Sequence, residues 1–422
     1  MTVQKTESEA SCLDDFDPAS MPPEEALKHI LDSVGRVEGT EKIAVRAGLG
    51  RIVAEDIQST FDVPSGTNSA MDGYAVNSAD LPQSGYTELH VIGTVFAGKP
   101  LQEPVKPGYC ARIMTGGVLP EGTDTIVIQE RVERSGDTIR FGTGTKTGDN
   151  VRQAGEDIAK GDIILRRGTR LTPADLGLIA SLGSGEVRVM RKPRVAFFST
   201  GDELRSIGEP LADGEVYDSN RYTLYGMLTR IGVEIIDMGV IRDKRQEVER
   251  AFTDAASYAD VIITSGGVSV GEADFVKETV LKIGKVNFWK VAIKPGRPLA
   301  FGRINNAWFF GLPGNPVSVM VTFYQFVQPA LHKLMGSEYA EPLTTRAISR
   351  SKLKKRSGRV EYQRGILERE QSGQLVVHKT GAQGSGILSS MSQANCFIIL
   401  PMESEGVEPG TTVDVQPFFG MV

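Results

Sequence analysis

The sequence is poor in the residues that build metal and redox centres. Three cysteines, Cys12, Cys110 and Cys396, are too few and too scattered for a disulfide framework or a CxxC zinc site. Four histidines, His29, His90, His332 and His378, show no HExxH spacing, so neither structural zinc nor haem is expected. No apolar run approaches the ~18 residues of a membrane span. The opening segment sets Glu7, Glu9, Asp14, Asp15 and Asp17 against Lys5, with no basic stretch leading into an apolar one. It reads as a solvated, disordered acidic tail over residues 1–20 rather than a secretory leader, and the expected compartment is the cytoplasm. Cationic excess is also missing: 47 Lys plus Arg face 53 Asp plus Glu, a formal net charge of -6. That argues against a general nucleic-acid coat and leaves room for a local basic pocket.

What is present is an ordinary globular balance. The 422 residues are 40% hydrophobic and 24% charged, enough core formers for several domains of roughly 150 residues. The 47 glycines and 21 prolines together modestly exceed the roughly 12% of average usage, an excess carried by glycine, so their placement matters more than their number.

Leu27, Ile30, Leu31 and Val34 follow helical spacing after Pro22-Pro23, with Gly35 as a terminator. From about Ile43 the runs VIGTVFAG, CARIMTGG and DTIVIQERV alternate with Gly/Pro turns and predict a mainly β region. A strand-like KGDIILRRG and a short helix in ADLGLIASLG follow. After Lys192-Pro193 the pattern becomes alternating strand and helix. Apolar strands begin at Arg194 and Asp260, a third lies in VEIIDMGV, and helices are predicted over 219–231 and 247–258. One more helix, the strand AWFFGLPG and a helix over 315–332 complete the block, with Asn315-Pro316 as N-cap and first turn. Strands buried on both faces and alternating with helices predict a doubly wound α/β sheet. Beyond Gly336, the segments TTRAISRSKL, VEYQRGIL, QLVVHKT, NCFIIL and TTVDVQPF predict a small β-barrel or sandwich.

The chemistry-bearing segments sit at predicted strand ends, where open α/β sheets bind ligands. STGDEL (199–204) and SGGVSVGEAD (265–274) offer close backbone approach at Gly266, Gly267 and Gly271, with the Ser265 and Ser269 hydroxyls as donors. Neither a Walker A nor a Rossmann glycine pattern is present, and a tight turn with no ligand is the plain alternative. In AIKPGRP, Lys294 and Arg297, held by Pro295 and Gly296, form with Lys290 a compact cationic site suited to a polyphosphate or oxyanion. A solvated basic turn is the alternative there. The GLPGNP loop adds Pro313, Gly314 and Asn315. Asp202, Glu203, Asp243 and Asp274 could each be a cap or turn residue, but together they suit Mg²⁺ beside substrate phosphates. A second polar cluster, NSAMDGYAV (68–76), RIMTGG (112–117) and GED (155–157), lies in the β region. The residues themselves reach as far as a Mg²⁺-assisted enzyme handling a phosphorylated ligand.

NSAMDGYAV, RIMTGG, STGDEL, SGGVSVGEAD, AIKPGRP and GLPGNPVS, in this order, resemble the MoeA family of molybdopterin molybdenumtransferases, which includes the E domain of gephyrin. The likeness runs from about Met21 to the end of the sequence. It implies a central α/β domain of molybdopterin-binding type over 193–338, a mainly-β domain inserted over 43–159, a linking domain in two pieces (21–42 and 160–192) and a C-terminal β-barrel over 339–422. It implies insertion of molybdate into adenylyl-molybdopterin with Mg²⁺-dependent release of AMP. Asp72, Thr115, Asp157, Glu203, Asp243, Asp274, Lys290, Lys294, Arg364 and Ser385 match family active-site positions, and Glu203 and Asp274 are the expected metal ligands. Arg297 departs from the Lys frequent in relatives; it keeps the charge with a different donor geometry.

The family further implies a homodimer with its site near the subunit interface. Contacts with molybdopterin adenylyltransferase and molybdoenzyme-maturation proteins are also expected, without nucleic acid or membrane. Two alternatives remain open. Molybdopterin adenylyltransferase resembles the block from Arg194 to Gly336, and a gephyrin-like scaffolding module would use the C-terminal β unit.

Overall fold

A computed structural model describes residues 20–267, 275–337 and 340–418. The chain divides into two compact units, one of residues 42–189 and one joining residues before 42 to those from 190 onward.

In the 42–189 unit, six strands form one sheet: β1 Gly73–Val76, β2 Tyr86–Val95, β3 Tyr109–Ile113, β4 Thr125–Ile128, β5 Val132–Ser135 and β6 Thr138–Gly142, in the order β4-β1-β3-β2-β6-β5. Its central strands bury both faces. Tyr74, Val76, Cys110 and Val127 pack into one cluster with Phe141, while Ala75, Ala111 and Ile126 pack into another with Val95. Neighbouring residues in one strand therefore serve opposite cores, as the two-residue period of a strand requires. The same unit holds the short strand Ile163–Leu165 and the helix Pro173–Ser181. That helix starts at a capping box in which Thr172 and Asp175 satisfy each other's backbone N–H groups.

In the other unit, six strands build the α/β sheet: β7 Arg194–Thr200, β8 Glu234–Ile241, β9 Val261–Ser265, β10 Gly284–Lys290, β11 Pro298–Ile304 and β12 Ala307–Leu312. Their order is β8-β7-β9-β12-β11-β10, with the first four parallel and the last two joining antiparallel. From β7 the chain goes first to β8 on one side and then to β9 on the other, so the order reverses at β7/β9. The doubly wound expectation holds. Ala196, Phe198, Ile262 and Phe309 meet Val248, Phe252 and Ala255 of the helix Arg245–Tyr258 in one buried cluster. The helix Ser219–Ile231 spans the predicted bounds. Its first turn is capped by the Asp218 carboxylate, which accepts from the Arg221 N–H, and its end by Gly232 in the left-handed conformation.

Two readings need correction. The hairpin β10/β11 was not foreseen, because Lys285, Lys290, Lys294 and Arg297 interrupt its apolar runs and a Pro-Gly turn dominates the middle. The helix predicted over 315–332 runs as Pro316–Thr322, a π-helical turn Phe323–Val327 and Gln328–Met335; Asn315 holds the N-cap position but its side chain makes no capping hydrogen bond.

The C-terminal strands are β13 Thr345–Ser349, β14 Val360–Arg369, β15 Leu375–Lys379, β16 Cys396–Leu400 and β17 Thr412–Pro417. They pair β14-β15-β13-β17-β16, and β16 returns to β14, closing a five-stranded barrel around Ala347, Val377, Cys396, Ile398, Val413 and Val415. The two-residue strand Ile293–Lys294 pairs parallel with β14, which sets Lys294 opposite Glu361. Among the described residues no helix is long and apolar enough to cross a membrane.

Candidate active site

A cavity of about 890 Å³ opens where the carboxyl ends of β7, β9 and β12 meet the barrel. This is the crevice that an order reversal creates in an α/β sheet. Thr200, Gly201 and Glu203 leave β7, Gly266 and Gly267 leave β9, and Pro313, Gly314 and Asn315 leave β12. Glycine is required at 266 twice over: its φ is +92°, and a Cβ there would stand 2.8 Å from the Thr200 carbonyl oxygen. A Cβ at Gly201 would lie 2.6 Å from Glu203 Oε2, because the carboxylate folds over that residue.

Asn220, which the sequence reading missed, ties two of these loops together. Its Nδ2 donates to Ser265 Oγ at 2.8 Å and to the Gly314 carbonyl at 2.6 Å. Asn follows Asp-Ser at the start of a recognisable helix, yet nothing local announces that its amide reaches two distant loops.

The acidic side of the cavity is crowded with like charge. Burial, followed by the charges of Asp202 and Glu203, pushes the Asp243 carboxyl above the usual carboxylate range. The Asp243 N–H donates to Asp202 Oδ1 at 3.3 Å. Crowded carboxylates favour a hard cation. Among the described residues, however, no three acidic, His or Cys side chains close a metal site by themselves. A hard cation bound here would have to take further ligands from substrate oxygens and water. Ser269, Gly271 and Asp274 lie outside the described residues.

Cations approach from the other side. Lys294, Pro295, Gly296 and Arg297 line the cavity. Lys294 Nζ stands 3.9 Å from Oε1 of Glu361, whose side chain is 8% exposed. Gln363 Nε2 donates to the same oxygen at 3.0 Å. Lys290 is exposed at the end of β10 and does not line the cavity; its carbonyl accepts from the Met21 N–H.

Arg364 lines the cavity but is only 1% exposed. Its Nε donates to Ser390 Oγ at 3.0 Å and its Nη2 to the Gly384 carbonyl at 2.9 Å. Its own N–H donates to Gln383 Oε1. Burial lowers its pKa to about 10, with Glu361 opposing, so it stays charged at neutral pH. Arg364 thus braces the loop that carries Ser385, and the Ser385 carbonyl accepts from the Val317 N–H at 3.0 Å. Lys354, Arg359 and Lys379 complete the cationic lining and were not foreseen. The basic run LKKRSGR (353–359) was the available signal.

In the 42–189 unit, Thr115 donates from both its N–H and its Oγ1 to Asp72 Oδ1, each at 2.8 Å. These bonds hold the Asp72 carboxyl below its ordinary range. The Ser69 N–H donates to the Gly117 carbonyl and the Gly116 N–H to the Ser69 carbonyl, so the first two polar segments meet. Asn68 and Ser69 also pair with Arg152 and Val151, while the GED turn bonds instead to Val63 and Pro64. Asp157 is exposed in the turn whose N–H groups donate to the Val63 carbonyl. The buried thiols of Cys110 and Cys396 are both pushed up to about 12 by burial.

Three family models match successive parts of the chain between residues 21 and 418. Residues 21–183 match the family model "MoeA N-terminal region (domain I and II)", 196–333 "Probable molybdopterin binding domain" and 346–418 "MoeA C-terminal region (domain IV)". The chain is 48% identical over 397 residues to the molybdopterin molybdenumtransferase of Haemophilus influenzae, covering 94% of this chain and 98% of the other. It is 34% identical to gephyrin of Dictyostelium discoideum over 446 residues, covering 93% of this chain and 61% of gephyrin. Among solved structures, the molybdopterin biosynthesis moeA protein of Pyrococcus horikoshii OT3 aligns with a TM-score of 0.83 at 32% identity, covering 94% of this chain and 100% of that one.

Proposed function

This chain belongs to the MoeA family and is an enzyme of molybdenum cofactor biosynthesis, a molybdopterin molybdenumtransferase; on that premise we propose that it inserts molybdate into adenylyl-molybdopterin and releases AMP in a Mg²⁺-dependent reaction. One observation carries this reading. A single cavity sets Glu203 and Asp243 at strand ends opposite Lys294 and Arg297. That is the arrangement needed to hold a pyrophosphate and an oxyanion together.

The roles follow from the residue types. The glycine loops after β7 and β9 admit phosphates close to the main chain, and Lys294 faces the oxyanion or the terminal phosphate. Breaking the pyrophosphate bridge needs one oxygen donor, water or a molybdate oxygen, with the AMP phosphate as leaving group. The two dithiolene sulfurs replace two molybdate oxygens, which take up protons and leave as water or pass to the phosphate. Asp243, its pKa raised, can accept or return a proton. Glu203 and the sequence-assigned Asp274 would hold Mg²⁺, which when bound offsets charge on the leaving phosphate. Arg364 positions the loop around Ser385.

The deciding assay follows AMP release from adenylyl-molybdopterin with and without molybdate and Mg²⁺. Release that needs both supports the reading. ATP consumption with free molybdopterin and no molybdate would favour an adenylyltransferase instead. For the assembly, we propose a cytoplasmic homodimer, based on the family likeness, in which Asp72 and Thr115 of one subunit complete the site of the other. Adenylyltransferase and molybdoenzyme-maturation proteins would be its transient partners. An Asp72→Ala protein mixed with a Glu203→Ala protein should then recover activity as subunits exchange; no recovery would confine the site to one chain.

A further inference from the structure

Beside the main cavity lies a second one of about 610 Å³, to which no role has been given so far. Lys352, Lys354, Lys355, Arg356, Arg359 and Lys294 line it. Among the described residues its acidic lining is Glu361, Glu405 and Glu408, so cations outnumber acids two to one. Lys294, Lys354, Arg359 and Glu361 also line the main cavity, which makes the two spaces neighbours across a shared cationic rim. We propose that this second cavity binds a compact tetrahedral oxyanion, the molybdate consumed in the proposed reaction, next to the place where it is used. The inference rests on that reading for the identity of the anion.

Three features argue for an anion here over a merely solvated basic face. Lys355 is 8% exposed, and its Nζ donates to the carbonyls of Arg356, Met402 and Ser404 at 3.2, 3.1 and 2.8 Å. The three carbonyls take up all three ammonium donors and fix the group in place. Burial lowers its pKa while Glu361 and Glu403 act against that, so Lys355 adds positive field beneath the cavity and no direct contact. Second, among the described residues the side chains of Lys354 and Arg356 make no hydrogen bond or ion pair, whereas Lys352 is paired with Glu408. Third, among the described residues the lining has no aromatic ring and its apolar side chains are Leu353 and Val407, so they give a nucleobase nothing to stack on. A small, highly charged anion is the ligand these groups can satisfy. The phosphate of the nucleotide shares the chemistry, and the experiment separates the two.

The test titrates the full chain calorimetrically with molybdate and, separately, with AMP, using the wild type and the Lys352→Gln/Arg356→Gln double variant. Both substituted side chains are exposed and lie outside the main cavity, and a thermal melt confirms that the variant folds. Two molybdate equivalents are expected for the wild type. In the variant one of them should weaken about fivefold to tenfold while AMP affinity is unchanged. In turnover the KM for molybdate should rise by a similar factor at constant kcat. A single molybdate equivalent in the wild type, or an unaltered titration in the variant, overturns the proposal. Weaker AMP binding with molybdate unaffected assigns the cavity to the nucleotide phosphate and equally overturns it. If the chain releases no AMP under any condition but the second molybdate titrates and is lost in the variant, the proposed reaction fails and this site stands.

Discussion

The two walls of the main cavity are built on different principles. The α/β wall is mostly main chain: Gly201, Gly266, Gly267 and Gly314 bring backbone to the ligand space, and carboxylates stand at the strand ends. The barrel wall is mostly side chain: Lys354, Arg359 and Arg364 come from one stretch running into β14, and Lys379 joins them from the end of β15, which pairs with β14. A wall of turns is encoded locally, since each turn needs its own glycine or proline. A wall of converging cations is only partly encoded locally: the basic run holds some of it, and Lys379 joins through the pairing of β14 with β15. Shape comes from one wall and most of the positive charge from the other.

The largest effect should come from removing the charge that bridges them. Lys294 belongs to the short strand that pairs with β14, and it reaches into the cavity beside Glu361. Lys294→Ala should lower molybdate-dependent AMP release by about a hundredfold or more, the scale of losing one preorganised donor. Lys294→Arg should restore part of it. A Lys294→Ala protein with full single-turnover AMP release would break the division of labour between the walls.

Arg364 sharpens the comparison on the barrel side, where the charge acts through structure. Arg364→Ala strips donors from the Gly384 carbonyl and Ser390 at a buried position and leaves a large void. A loss of about 2–4 kcal/mol is expected in urea unfolding of this unit. Arg364→Lys keeps the charge but not the two-directional reach, and should recover less than half of that loss. Unaltered stability in Arg364→Ala would mean that the guanidinium is held for a ligand and not for the loop.

The same contrast explains what could be read from the sequence. Most barrel strands and the helix Ser219–Ile231 were legible from apolar residues at regular spacing bounded by turn residues, although β14 also buries Glu361, Gln363 and Arg364. The strand-end loops were legible because glycine clusters there have few other uses. The hairpin β10/β11 was hidden by the very lysines and Pro-Gly turn that marked it as chemistry. Lys379 and Gln363 carry no local signature; they matter through Arg359, Glu361 and Arg364, with which they share a wall. Asn220 was invisible for the same reason, since its partners Ser265 and Gly314 lie 45 and 94 residues away. The resemblance to a family supplied Asp72 and Thr115 as a pair, and their shared hydrogen bonds supply the physical reason for it.

The smallest effect probes the acidic side of the α/β wall. The Asp243 carboxyl is raised above its unfolded value of 3.8 by burial and by Asp202 and Glu203. Below that value the group is protonated in both states and its contribution is intact. As pH rises through the folded pKa, the native state must accept a charge beside two others, and that contribution is lost. Asp243→Asn removes the penalty, so the variant should melt about 1 °C above the wild type at pH 7, with the gap narrowing towards pH 4. Mg²⁺ should close the gap at pH 7 by stabilising the wild type alone. A gap that does not change with pH would show that Asp243 is not crowded by charge in solution. A gap that narrows with pH but ignores Mg²⁺ would leave the like-charge wall intact and remove the cation from it.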